Sequence, residues 1–199
     1  MRHDGTLKAL RTLHGAVLAL ALAACATPGP APAPADRPVV AAFDTAGRLS
    51  ARHGNDGVAV HFTWQHAASG DVFDVATPLG QTVARLRGDA AGIFVERPGE
   101  PPRQYADWNA LTQSVLGVPL PVAGLVSWLQ GAPSVGGGAD LERDGAGRPL
   151  VLREQGWEIV YSYADDAPAA RPTRLIMRYP AGEPIEVRIV VDRFAAGST

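Results

Sequence analysis

The side chains able to do covalent or metal chemistry are few in this 199-residue chain. It has one cysteine, Cys25, so no disulfide can close within it and no cysteine-built zinc site can form. His53, His61 and His66 are the histidines beyond residue 24. None stands in a His-Glu-x-x-His arrangement or beside a nucleophile pattern, and solvent-facing strand and turn positions account for them. Asp165 and Asp166 precede Ala167-Pro168, a turn context in which carboxylates serve local hydrogen bonding. No Gly-x-Gly-x-x-Gly follows a strand pattern, and the cluster Gly136-Gly137-Gly138 follows a helical segment instead. Hydrolase, kinase and dehydrogenase readings all lack their reacting groups, so the expectation is a protein that is not an enzyme and holds no metal.

Composition bounds the class of protein. The chain is 46% hydrophobic and 19% charged, with 22 Gly and 17 Pro, which suits one folded domain and excludes collagen, a coiled coil and wholesale disorder. Its 18 basic and 20 acidic residues give a formal charge of −2. The basic ones are scattered, so no cationic surface for nucleic acid is formed.

Residues 1–24 read as an export signal. Arg2, Lys8 and Arg11 precede a short apolar core from Ala16 to Ala24, too short to span a bilayer, which takes about 20 apolar residues. Leu22-Ala23-Ala24-Cys25 resembles the bacterial lipobox. That resemblance implies a diacylglycerated thiol, cleavage before Cys25 and acylation of the new amino terminus; beyond this N-acyl diacylglyceryl group no cofactor is expected. Three acyl chains, at about 0.8 kcal/mol per buried CH₂, give lasting anchorage where a single chain is marginal. The alternative is an ordinary secretory signal with a cysteine at its cleavage site. Ala26 stands where Asp, in lipoproteins generally, resembles an inner-membrane retention mark, so the outer membrane, facing the periplasm, is the expected address. Loss of the leader leaves 15 basic residues, all Arg, and 19 acidic ones, a net charge of −4. Without lysine there is no P-loop and no Schiff base. Residues 25–38, with Pro28, Pro30, Pro32, Pro34 and Pro38, read as an extended tether.

The remainder, residues 39–194 with a short tail at 195–199, must position whatever function there is. Val58, Val60, Phe62 and Trp64 alternate with Ala59, His61, Thr63 and Gln65, after the turn residues Gly54-Asn55-Asp56-Gly57, a half-buried strand by its period of two. Similar runs stand at 71–77, 81–88, 92–97, 150–155, 157–163, 174–179 and 185–194, and about ten short strands of an antiparallel sheet with one apolar face are expected. Two helices interrupt them. Asp107 caps the first, through about Leu116 and ended by Gly117; Pro121 suits the first turn of a second, unusually apolar one running to about Gln130.

Together these stretches resemble the outer-membrane lipoprotein receptor family LolB. The resemblance rests on Phe43-Asp44-Thr45-Ala46-Gly47-Arg48-Leu49, Pro78-Leu79-Gly80, Leu116-Gly117-Val118-Pro119-Leu120-Pro121-Val122 and Trp128-Leu129-Gln130-Gly131. Gln155-Gly156-Trp157 with Tyr161, and Val187 to Phe194, complete it; Phe194 stands where the family often has Trp. It implies a mainly β fold: an incomplete, half-open antiparallel β-barrel of about ten to eleven strands, LolA/LolB-like, with helices plugging its apolar concave face. It implies also a receptor that accepts triacylated lipoproteins from the periplasmic carrier LolA and inserts them into the inner leaflet of the outer membrane, driven by affinity without nucleotide. Its partners would be that carrier, the acyl chains of client lipoproteins and outer-membrane lipid, and a monomer suits the encounter.

Within that picture Leu79, held in a turn by Pro78 and Gly80, is expected to protrude and dip into lipid, as the family's protruding leucine does. Trp64, Phe73, Val75, Leu125, Trp128, Leu129, Tyr161, Met177 and Ile189 are the candidate walls of an acyl-chain cavity, chosen for lying on the apolar side of a strand or on the second helix. The negative net charge would draw a basic carrier surface and speed encounter. Two rivals stay open: a lipid-anchored binder of a small apolar ligand such as a fatty acid, and a structural envelope lipoprotein with a filled core.

Overall fold

In the computed structural model, residues 38–136 and 138–197 are described. The leader and Cys25 lie outside the described residues, as do residues 25–37 of the tether and the last two residues of the tail. Among the described residues the strands are β1 (Phe43–His53), β2 (Asp56–Ala67), β3 (Gly70–Ala76), β4 (Thr82–Asp89), β5 (Gly92–Glu96) and β6 (Arg103–Tyr105). Helices α1 (Trp108–Leu116) and α2 (Val122–Trp128) follow. The chain then returns through β7 (Asp140–Arg143), β8 (Pro149–Glu154), β9 (Trp157–Ser162), β10 (Arg174–Tyr179) and β11 (Ile185–Ala196).

All eleven strands join one antiparallel sheet in the order β6-β5-β4-β3-β2-β1-β11-β10-β9-β8-β7. Its edges, β6 and β7, are not hydrogen-bonded to each other, so the sheet curls without closing. The antiparallel sheet read from alternation and the half-open form implied by the LolB resemblance are both found. Strands β6 and β7 add to those expected, and β11 runs two residues past Phe194, with Ala195 and Ala196 paired to Asp44 and Phe43. Helix α2 is shorter at both ends than its apolar pattern suggested: Pro121 is its N-cap and Leu129 its C-cap.

One side of every long strand is apolar. Val60, Phe62 and Trp64 on β2, Val187 and Ile189 on β11, and Leu175 and Met177 on β10 are all buried on the concave side. The outer side carries cross-strand ion pairs, such as Arg48 with Asp192 at 2.8 Å and Arg178 with Glu186 at 3.1 Å. The Arg48 hydrogen bond holds the Asp192 carboxyl below its ordinary range. Both partners are about half exposed, so their pairing marks the solvent side and adds little stability.

The central β1–β11 pair contains a bulge. Ala46 pairs with Arg193 and Gly47 with Val191, leaving Asp192 as the extra residue, which bends and twists the pair and helps the sheet to curl. Gly47 is required there because a Cβ would overlap the backbone carbonyl oxygen of Val190. Gly47→Ala is expected to cost about 1–3 kcal/mol, read as a fall of about 2–4 °C in Tm for each kcal/mol. An unchanged Tm would mean that the bulge does not depend on this close approach.

Candidate functional site

The concave face is covered by the two helices, and local chemistry decides where each begins and ends. The Asp107 carboxylate accepts from the Ala110 amide at 2.7 Å and caps α1; Gly117, at φ 74°, ends it in the left-handed conformation, which glycine adopts without a Cβ penalty. Trp108 lies over Gly88 of β4, where any Cβ would overlap its indole. A row of rings leads up to it: Phe194 on Phe43, Phe43 on Trp64, Trp64 on Phe73 and Phe73 on Trp108, with centroids 4.7–5.4 Å apart. The connecting segment turns back along α1, with the Leu120 amide donating to the Thr112 hydroxyl at 2.8 Å.

Helix α2 is fastened at its C-terminal end. The Trp128 indole N–H donates to the Glu154 carboxylate at 2.5 Å, and the Ser134 amide donates to the same group at 3.0 Å. Glu154 is buried, an environment in which a carboxylate depends on such donors. The Gln130 side chain accepts from the Val40 amide at 2.9 Å and from Arg171 at 3.2 Å, and donates to the Val126 carbonyl at 2.9 Å.

Between helices and sheet lies a hollow of about 50 Å³. Its sheet side is Leu49, Val60, Phe62, Trp64, Phe73, Val75, Leu86 and Ile189; its helical side is Trp108, Thr112, Leu116, Leu120, Val122, Leu125 and Leu129. Thr112 is the polar residue in that wall, and its hydroxyl is consumed by donation to the Trp108 carbonyl and acceptance from Leu120. The Trp64 indole N–H is likewise committed, to Asp71 at 2.8 Å. The hollow therefore offers apolar contact and almost no directional chemistry.

Of the residues singled out from sequence, Trp64, Phe73, Val75, Leu125, Leu129 and Ile189 meet around this hollow. Trp128, Tyr161 and Met177 do not line it. They are fully buried against the β8–β10 half of the concave face, where Trp128 turns to Glu154. Burial pushes the Tyr161 hydroxyl ionisation up, and among the described residues that hydroxyl has no hydrogen-bond partner. Sequence reasoning passed over Glu154, although its signal was there: it shares strand parity with the inward-facing Leu152. It also passed over Trp108, which follows the cap Asp107.

Leu79 stands apart from all of this and is 98% exposed. The Thr77 carbonyl accepts from the Gly80 amide at 2.8 Å, the Thr77 amide donates to the Gln81 carbonyl at 2.8 Å, and Gly80 sits at φ 84°. This is a three-residue hairpin loop with its left-handed position filled by glycine. The loop holds the leucine at the tip between Pro78 and Gly80.

A half-open antiparallel sheet plugged by short helices is a fold this chain shares with a solved structure. The chain superimposes on a LolA superfamily protein of Nitrosomonas europaea with a TM-score of 0.52 at 12% identity, over 84% of this chain and 91% of that one. The family model for the outer membrane lipoprotein LolB matches residues 41–194. Over 156 residues the chain is 38% identical to the outer-membrane lipoprotein LolB of Thiobacillus denitrificans, covering 78% of this chain and 81% of that one. It is 37% identical over 151 residues to the LolB of Cupriavidus necator, covering 73% and 77% respectively. The chain belongs to the LolB family of outer-membrane lipoproteins.

Two substitutions test the fastening of α2. Trp128→Phe strips a donor from a buried carboxylate and is expected to lower unfolding free energy by about 1–3 kcal/mol; Glu154→Gln, which keeps an acceptor for the indole, should cost less. Tyr161→Phe removes a hydroxyl that bonds to nothing and should be neutral or stabilising by up to about 1 kcal/mol. Denaturant titration of the three variants reads both expectations.

Proposed function

We propose that this domain receives the triacylated amino terminus of another lipoprotein from the periplasmic carrier LolA, shelters the acyl chains beneath α1 and α2, and releases them into the inner leaflet of the outer membrane. Acylated Cys25 holds the protein at that membrane and residues 26–38 serve as its tether. The observation that carries the reading is the pairing of an apolar, chemically inert hollow with a fully exposed leucine on a rigid hairpin. Acyl chains need apolar walls and little else, and each CH₂ contributes about 0.8 kcal/mol to whichever site shields it better. A hollow that ranks between carrier and bilayer moves them downhill without nucleotide.

The hollow as it stands is smaller than its cargo. About 50 Å³ compares with on the order of 300–1,000 Å³ for the pockets of drug-sized ligands, so even one fatty acid requires the helical cover to lift. The cover is suited to that. At nine and seven residues the helices are too short to persist unaided, and over the hollow what holds them is packing that acyl chains can replace contact for contact.

Leu79 acts at the last step by entering the lipid interface beside the opening. With unacylated protein, carrier loaded with lipoprotein and liposomes, Leu79→Glu is expected to slow incorporation into liposomes at least tenfold. Acceptance from the carrier should be retained and Tm unchanged, because the side chain touches nothing in the fold. Incorporation at the parent rate would remove Leu79 from the mechanism, and failure of the parent protein to accept cargo would overturn the reading as a whole.

A further inference from the structure

Two large apolar side chains among the described residues are completely exposed: Leu79 at 98% and Val135 at 103%. Val135, in the connection from α2 to β7, likewise stands between turn formers, Pro133-Ser134 before it and Gly136 after it. Neither tip carries a charge, from 77 to 81 or from 131 to 136, in a chain that is 19% charged.

The strand registers put both tips at one end of the sheet. Strand β1 runs from Phe43, paired with Ala196, to His53, paired with Ile185 and Asp56. The end defined by His53 also holds the β3–β4 hairpin with Leu79, the β8–β9 turn at Glu154–Trp157 and the β10–β11 turn after Tyr179. The Ser134 amide bonds to Glu154, the last residue of β8, and the chain then starts β7 at Asp140, opposite Arg153. Val135 therefore emerges at this same end. Leu79 is on the β3–β4 wing and Val135 at the β7–β8 margin, with β2, β1, β11, β10 and β9 between them.

We propose that Val135 is a second lipid-contacting tip, which together with Leu79 seats this end of the sheet on the bilayer at two separated points. The inference rests on the reading of the domain as one that docks on membrane. A single side chain on a convex tip suits lipid better than protein. A stable protein interface buries about 1,200–2,000 Å² against a matching surface, whereas the lipid interface accepts a protruding apolar group of any shape. The tether allows this placement. Residues 26–38 number 13 and extend to at most about 45 Å, while the 11 residues of β1 rise about 36 Å, so a chain held at Cys25 can present the end opposite Phe43 to the membrane. One contact would leave the domain free to swivel, and two separated by five strands fix the open sheet across the leaflet.

The sheet, both helices and the core lie wholly within residues 38–197, so a chain of residues 26–199 retains the fold and lacks the acyl anchor that would bind vesicles by itself. Its partition into vesicles of phosphatidylethanolamine and phosphatidylglycerol at 3:1 is measured by sedimentation. V135D is expected to lower partition about fivefold with unchanged Tm, V135L to raise it, and V135D combined with L79E to lose the product of the two single effects, since distant sites add. An environment-sensitive dye on V135C, the lone cysteine of that chain, should shift to the blue on vesicles and be quenched by brominated lipid. Partition of V135D equal to the parent's, a dye that stays in water, or a loss of carrier binding with partition intact would each overturn the proposal. A fall with V135D but none with L79E would leave contact at Val135 alone and overturn the two-point seat.

Discussion

The constraint that governs this molecule is an apolar sheet face that cannot close on itself. The terminal strands β6 and β7 do not pair with each other, so the concave side carrying Trp64, Leu86, Ile159, Leu175 and Val187 must be shielded by something other than sheet. The chain assigns that task to sixteen residues of helix and the segments beside them. A closed barrel would have filled its interior with its own side chains. Stopping short leaves a seam in which the cover is the weakest element.

The cover is held in two different ways. At the margin, directional bonds fix it: indole to carboxylate at Trp128 and Glu154, amide to glutamine at Val40 and Gln130. Over the hollow itself, Leu125, Leu129, Trp108 and Leu116 make only non-directional contact. Directional bonds specify one geometry and lose their value when it changes. Dispersion and burial are indifferent to whether the neighbour is a leucine or a methylene chain. The division leaves one end of α2 fixed by directional bonds and its apolar middle held by contact alone.

Local chemistry was legible and non-local chemistry was not. Asp107 and Gly117 mark the ends of α1 because a cap and a left-handed glycine act within a turn of the residues they serve. Pro78 and Gly80 mark the turn in the same way, whereas the expectation that Leu79 protrudes from it came from the family resemblance. Strands β6 and β7 escaped notice, being three and four residues long and formed only because a neighbouring strand supplies their hydrogen bonds. Face assignment succeeded for Trp64, Phe73 and Ile189, where alternation settles the side. It was insufficient for Trp128, Tyr161 and Met177, since facing the concave side does not decide which half of that side is hollow. The size of the hollow depends on sub-ångström packing between α2 and the sheet, which no periodicity encodes.

The brevity and charge of those two edges carry a consequence for the crowded compartment in which the protein is placed. An open sheet offers unpaired amides and carbonyls at both margins, the template on which chains polymerise strand to strand. Here one margin is Arg103 to Tyr105 and the other Asp140 to Arg143, bearing Asp140, Glu142 and Arg143. Too short for stable pairing and dressed with ionic groups, they let the domain keep its sheet open without seeding aggregation with its own copies.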